Sequence, residues 1–131
     1  MHGFSLGTSI AGLVAKNRNV DALVIEGGTP SVTEYIAVHL PWYLKLVSRP
    51  KVAKELEGIG TSAALRGYTG PLLIAAGERD KDTIPELSKR LFASLDNSQK
   101  ELVIVPGAGH NALTTPAGSL VYRAFLHRVA R

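Results

Sequence analysis

The sequence predicts an α/β fold on a parallel sheet, and three observations carry that expectation. Near-continuous apolar runs stand at residues 20–26, 71–77 and 100–105. Each ends in a glycine-rich or polar turn, and helical patterning separates one from the next. Strands buried on both faces read as unbroken apolar runs, which is the habit of parallel sheets. Their alternation with helices implies right-handed crossovers and strands adjacent in chain order. The expected architecture is one domain over residues 1–131, with three main parallel strands, flanking helices and a helical excursion between the first two strands.

Taken in order, residues 6–16 predict a helix with Leu6, Ile10, Leu13 and Val14 near one face and the small Gly7, Ala11, Gly12 and Ala15 elsewhere. Small residues allow close packing on a sheet. Residues 20–26 follow as a buried strand closed by Gly27-Gly28, with Asp21 and Glu26 at its edges. Between 29 and 70 no strand signal appears. Ser31, with Glu34 three residues on, caps a helix through Val32, Ile36 and Leu40 that Pro41 breaks. Trp42, Tyr43, Leu46 and Val47 form a second apolar face, and 51–56 reads as a short polar helix ended by glycines. This segment is either a crossover packed on the sheet or a cap over a site. Residues 71–77 form the second strand. Pro85 opens a helix with Leu87, Leu91, Phe92 and Leu95 inward. Residues 100–105 form the third strand, and a last helix from about 117 turns Leu120, Val121, Phe125 and Val129 inward.

Composition narrows the function. Hydrophobic residues at 45% and charged residues at 20% suit a soluble globular protein, and no run approaches the ~18 apolar residues of a membrane span. The net charge of +4 is spread over 15 scattered Lys and Arg, which argues against nucleic acid as a partner. Without cysteine there is no disulfide, thiolate ligand or cysteine nucleophile, which favours a cytoplasmic setting. His2, His39 and His127 do not recur at a metal-ligand spacing, so no metal site is expected.

Chemistry concentrates at the carboxyl ends of the strands, where open α/β sheets gather functional residues. Ser5 lies in Gly3-Phe4-Ser5-Leu6-Gly7, a G-x-S-x-G pattern opening onto a helix. Such a turn forces the serine to φ > 0, and glycines two residues before and after it avoid collisions. Asp80 or Asp82 follows the second strand, and His110 stands in the loop after the third. A serine hydroxyl is a poor nucleophile until an imidazole takes its proton, and the imidazole needs a carboxylate to fix its tautomer. Each residue alone has an ordinary reading: Ser5 as a helix cap, the aspartates as loop solvation, His110 as a turn residue. Their joint occurrence in the order serine, acid, histidine is what favours a triad.

On these segments, together with the strand ending at Gly77 before Glu78-Arg79-Asp80 and the loop Pro106-Gly107-Ala108-Gly109-His110-Asn111, the chain resembles the carboxyl-terminal half of an α/β-hydrolase of the esterase, lipase and acyl-peptidase-like branch. The resemblance covers nearly all of the chain but about half of the family's domain. It implies a cofactor-free serine hydrolase acting on a small ester, thioester or amide through an acyl-enzyme. It selects Asp80 as the acid, with Ser5 as nucleophile, His110 as base, and the Leu6 N–H as an oxyanion donor. Tyr35, Leu40, Trp42 and Tyr43 stand where a substrate pocket would lie.

The chain also departs from the pattern. Only Met1 and His2 precede Gly3, so nearly the whole nucleophile strand is expected to be absent, as in a truncated form of a longer enzyme. The strand at 20–26 would then expose an apolar edge, a place for self-association. The alternative is a non-catalytic α/β module that binds a partner or itself through that edge.

Overall fold

The centre of the sheet is Leu72–Gly77, six residues buried on both faces. The computed structural model describes residues 1–47, 51, 54 and 59–131. Among these, four parallel strands lie side by side in chain order: β1 (His2–Phe4), β2 (Leu23–Glu26), β3 (Leu72–Gly77) and β4 (Lys100–Val105). The register runs His2 to Val24 to Leu73 to Glu101. Alternate side chains divide the core. Leu23, Ile25, Leu72 and Ile74 face one layer with Leu65, Leu91 and Leu95, whereas Val24, Leu73 and Ala75 face the other with Leu113 and Phe125.

β1 adds a short fourth strand beside the three main ones expected, and it corrects the expectation that the strand at 20–26 is an open edge. Its three residues pair with Val24, Ile25 and Glu26, so β2 is an inner strand and the open edge belongs to β1. Three residues, with only Gly3 buried, are too few to give an apolar run in the sequence.

The helix α1 (Gly7–Asn17) turns its small-residue face inward. Thr8, Ala11, Gly12 and Ala15 are buried, while Leu6, Ile10 and Leu13 are 90%, 65% and 52% exposed. Close approach is the reason. A Cβ on Gly12 would sit 2.8 Å from the Ala64 Cβ, and larger side chains would not fit that gap.

In the excursion, α2 (Val32–His39) is capped as predicted: the Ser31 Oγ accepts from the Glu34 N–H at 3.2 Å. Pro41 separates it from α3 (Trp42–Val47). Neither helix has a fully buried residue, and the apolar face foreseen at Trp42, Tyr43, Leu46 and Val47 is solvent-exposed. The short α4 (Thr61–Ala64) is the part that packs inward, with Leu65 just after it in the core. Of the helix expected over 51–56, only residues 51 and 54 are among those described.

Pro85 begins α5 (Pro85–Ser94), which buries Leu87 and Leu91 as expected. A 3-10 turn (Ala112–Thr114) leads into α6 (Pro116–Val129), which buries Phe125 and packs Val121 and Val129 on the core. Leu120, predicted inward, is exposed. Among the described residues, no helix is long and apolar enough to cross a membrane.

Candidate active site

Phe4 ends β1 and Gly7 begins α1, which leaves Ser5 and Leu6 to make the whole turn between strand and helix. Ser5 adopts φ +52°, the only positive φ of a non-glycine residue among those described. That conformation costs an L-residue roughly 1–3 kcal/mol unless its surroundings hold it. They do so from both sides. The Ser5 N–H donates to the Glu26 carbonyl at 2.9 Å, and the Ser5 carbonyl accepts from the Thr8 N–H at 3.0 Å and the Thr8 hydroxyl at 2.6 Å. Thr8 is buried, and its Oγ1 lies 2.8 Å from that of Thr61.

Gly3 is required here, because a Cβ would meet the Ala11 Cβ at 2.6 Å and the Gly7 carbonyl oxygen at 2.9 Å. Gly7 corrects the sequence argument. A Cβ there would have no described heavy atom within 4 Å, so no collision demands glycine at that position.

The acid and the histidine come from the turns after β3 and β4. Asp80 is 3% exposed. Its Oδ1 accepts from the N–H groups of Asp82 and Thr83, each at 2.9 Å, and its Oδ2 lies 2.8 Å from the His110 Nδ1. Asp82 is exposed, and it bonds to Asp80 through its backbone N–H. The half-buried His110 ring also packs on the Phe4 ring, with centroids 4.7 Å apart, and over Gly27, where a Cβ would stand 3.3 Å from its Cε1. Gly27 has φ +64°. The imidazole is therefore fixed by a carboxylate, a ring and a backbone.

An imidazole whose Nδ1–H donates to a carboxylate leaves Nε2 free to accept a proton. Ser5 is one residue from the Phe4 ring that His110 covers, so nucleophile, acid and base types gather at one end of the sheet. The Ser5 Oγ has no hydrogen-bond partner among the described residues, and neither has the Leu6 N–H that follows it. Asp80, Asp82 and His110 also offer ligand atoms within 4.8 Å of one another. The bonds to both Asp80 oxygens satisfy that carboxylate without a cation.

No protein-family model matches the chain. Two uncharacterized proteins of Mycobacterium tuberculosis are 36% identical over 109 residues, which cover 83% of this chain and 36% of theirs. The chain thus spans little more than a third of the length of these relatives. Among solved structures, the esterase domain of a Rhodothermus marinus protein matches with a TM-score of 0.70 and 24% identity, over 97% of this chain and 58% of that one. MGS-MChE2, an α/β hydrolase from a lagoon-sediment metagenome, matches with a TM-score of 0.63 and 27% identity, over 97% and 60%. The fold is that of the α/β hydrolases.

Within this α/β-hydrolase fold, the four expected pocket residues lie away from Ser5 in sequence and mostly in solvent. Tyr35 and Leu40 stand on and just after α2, whereas Trp42, 73% exposed, and Tyr43 stand on α3. One contact ties this segment to the acid turn: the His39 Nε2 lies 3.3 Å from the Lys81 carbonyl. Three residues around the turn escape sequence reasoning. Thr8 looks like any helical threonine, and Gly27 like a strand terminator. Glu26 looks like a solvated strand end but is buried, and a charge closing an otherwise apolar run was the one available signal.

Proposed function

We propose that this chain carries the site of a serine hydrolase that cleaves a small ester, thioester or amide through an acyl-enzyme. The observation that carries the reading is Ser5 at φ +52° in a two-residue strand-to-helix turn, a strained position held by Glu26 and Thr8. In this scheme His110 takes the Ser5 proton as the hydroxyl attacks the carbonyl carbon and returns it to the leaving group. Asp80 holds the imidazole in the tautomer that can accept, and the Leu6 N–H donates to the oxyanion. Water then repeats the sequence on the acyl-enzyme and frees the acid. A fluorophosphonate should label Ser5 covalently, and mass spectrometry should find the adduct lost in Ser5→Ala and sharply reduced in His110→Ala. Folded wild-type protein that takes no label would end the proposal.

The α2 to α3 segment supplies the acyl or alcohol side in this reading, supported by the bond from His39 to the acid turn. Trp42→Ala should shift the chain-length preference on a series of p-nitrophenyl esters. An unchanged preference would remove the segment from the pocket.

A second reading, an α/β module that binds itself, has the open β1 edge beside exposed Leu6, Ile10 and Leu13 in its favour. Light scattering would show a defined oligomer that Ile10→Lys disperses; a monomer at high concentration would count against it.

A further inference from the structure

Among the described residues two carboxylates are buried, Asp80 and Glu26, and the chemistry proposed above uses only the first. A carboxylate leaves water at high cost unless its oxygens are bonded. Both oxygens of Glu26 are. Oε1 accepts from the Leu113 N–H at 2.8 Å, and Oε2 lies 3.1 Å from the His2 Nε2. The main-chain carbonyl of the same residue takes the Ser5 N–H at 2.9 Å. One residue at the end of β2 thus grips the strand leading to Ser5, Ser5 itself, and the turn three residues beyond His110.

We infer that Glu26 is a positioning residue that fixes the separation of the Ser5 arm from the His110 loop, an inference that rests on the serine-hydrolase reading. β1 is joined to β2 by ladder bonds along His2, Gly3 and Phe4. The bond to His2 adds a side-chain tie at the far end of that strand, and the bond to Leu113 ties the histidine loop to the same carboxylate. Gly27 follows directly and presses its backbone on the imidazole, so any shift at the end of β2 reaches His110 as well.

The test uses Glu26→Gln, which keeps the volume but removes the charge and puts an NH₂ where one oxygen stood, so that with the oxygen kept on the Leu113 N–H the His2 bond survives only if that ring moves its proton to Nδ1. Inactivation by a fluorophosphonate is followed as kinact and KI, and amide hydrogen exchange is read at Ser5, Leu113, Leu73 and Ile74. Expected is a fall in kinact of about 10- to 100-fold with KI unchanged, the scale of a small misplacement of reacting groups. Exchange should quicken at Ser5 and Leu113 and hold at Leu73 and Ile74 in β3. His2→Phe, at a side chain one-third exposed, cuts the strand tie alone and should lower kinact less. Its effect and that of Glu26→Gln should combine to less than their product. Should Glu26→Gln not fold, His2→Phe carries the test by the same readings. Unchanged kinact and exchange would overturn the inference, as would a loss matched by faster exchange throughout β3. If wild type takes no label yet Glu26→Gln loosens only Ser5 and Leu113, the clamp stands and the hydrolase reading falls.

Discussion

Asp80→Asn is expected to slow turnover by about 10⁴-fold while the protein stays folded, the scale known for a triad acid changed to its amide. The hydrogen bonds around Asp80 explain why so small a change should matter. Oδ1 accepts from two backbone N–H groups, those of Asp82 and Thr83. Only an oxygen can stand there, so the new amide must turn its NH₂ toward His110. The Nδ1 of His110, which donates to the carboxylate at 2.8 Å, would then have to accept. The ring proton moves to Nε2, and the base can no longer take the Ser5 proton. Asp82→Asn, at an exposed side chain, should alter the rate by no more than about twofold, as surface changes usually do. Rates on p-nitrophenyl acetate, with thermal unfolding as the control for folding, decide between them. A larger loss at Asp82 would reverse the assignment of the acid.

The two aspartates also show which features the sequence made legible. Buried parallel strands announce themselves because both faces must be apolar, and β3 and β4 lie within a residue of their expected bounds. Residue type and chain order were enough to bring Ser5, Asp80 and His110 under consideration together. Less legible was anything decided by size at a close contact. The inward face of α1 is its small one because Ala64 stands so near Gly12; the small residues pointed to close packing, but not to the partner that requires it. β1 was missed for a related reason. A strand of three residues gains its place from pairing with Val24, Ile25 and Glu26, which no local pattern can display. Glu26 escaped because its partners, His2 and Leu113, lie 24 and 87 residues away in the chain.

Gly77→Ala should damage stability and rate together. Gly77 ends β3, and a Cβ there would fall on the carbonyl oxygens of Gly109 and Ala108 and stand 2.8 Å from the Ala108 carbonyl carbon. These are backbone atoms, so no side chain can swing aside. The histidine loop would have to move off the end of β3 instead. That loop is joined to the acid turn by Glu78 N–H to Val105 carbonyl at 3.0 Å, Arg79 N–H to Ala108 carbonyl at 2.8 Å, and Gly107 N–H to the Glu78 carboxylate at 2.7 Å. Displacing it strains all three and draws His110 from Asp80. Overpacking at a rigid contact costs roughly 3 kcal/mol or somewhat more, and a shift of about 1 Å in the base costs about 10² in rate. Gly7→Ala is the matched control, since its Cβ would meet no described atom and alanine is the better helix former by up to about 1 kcal/mol. Urea unfolding midpoints and fluorophosphonate labelling rates should therefore separate the two variants widely. Equal damage at Gly7 would mean that the opening glycines matter for a contact that the residues around α1 do not make.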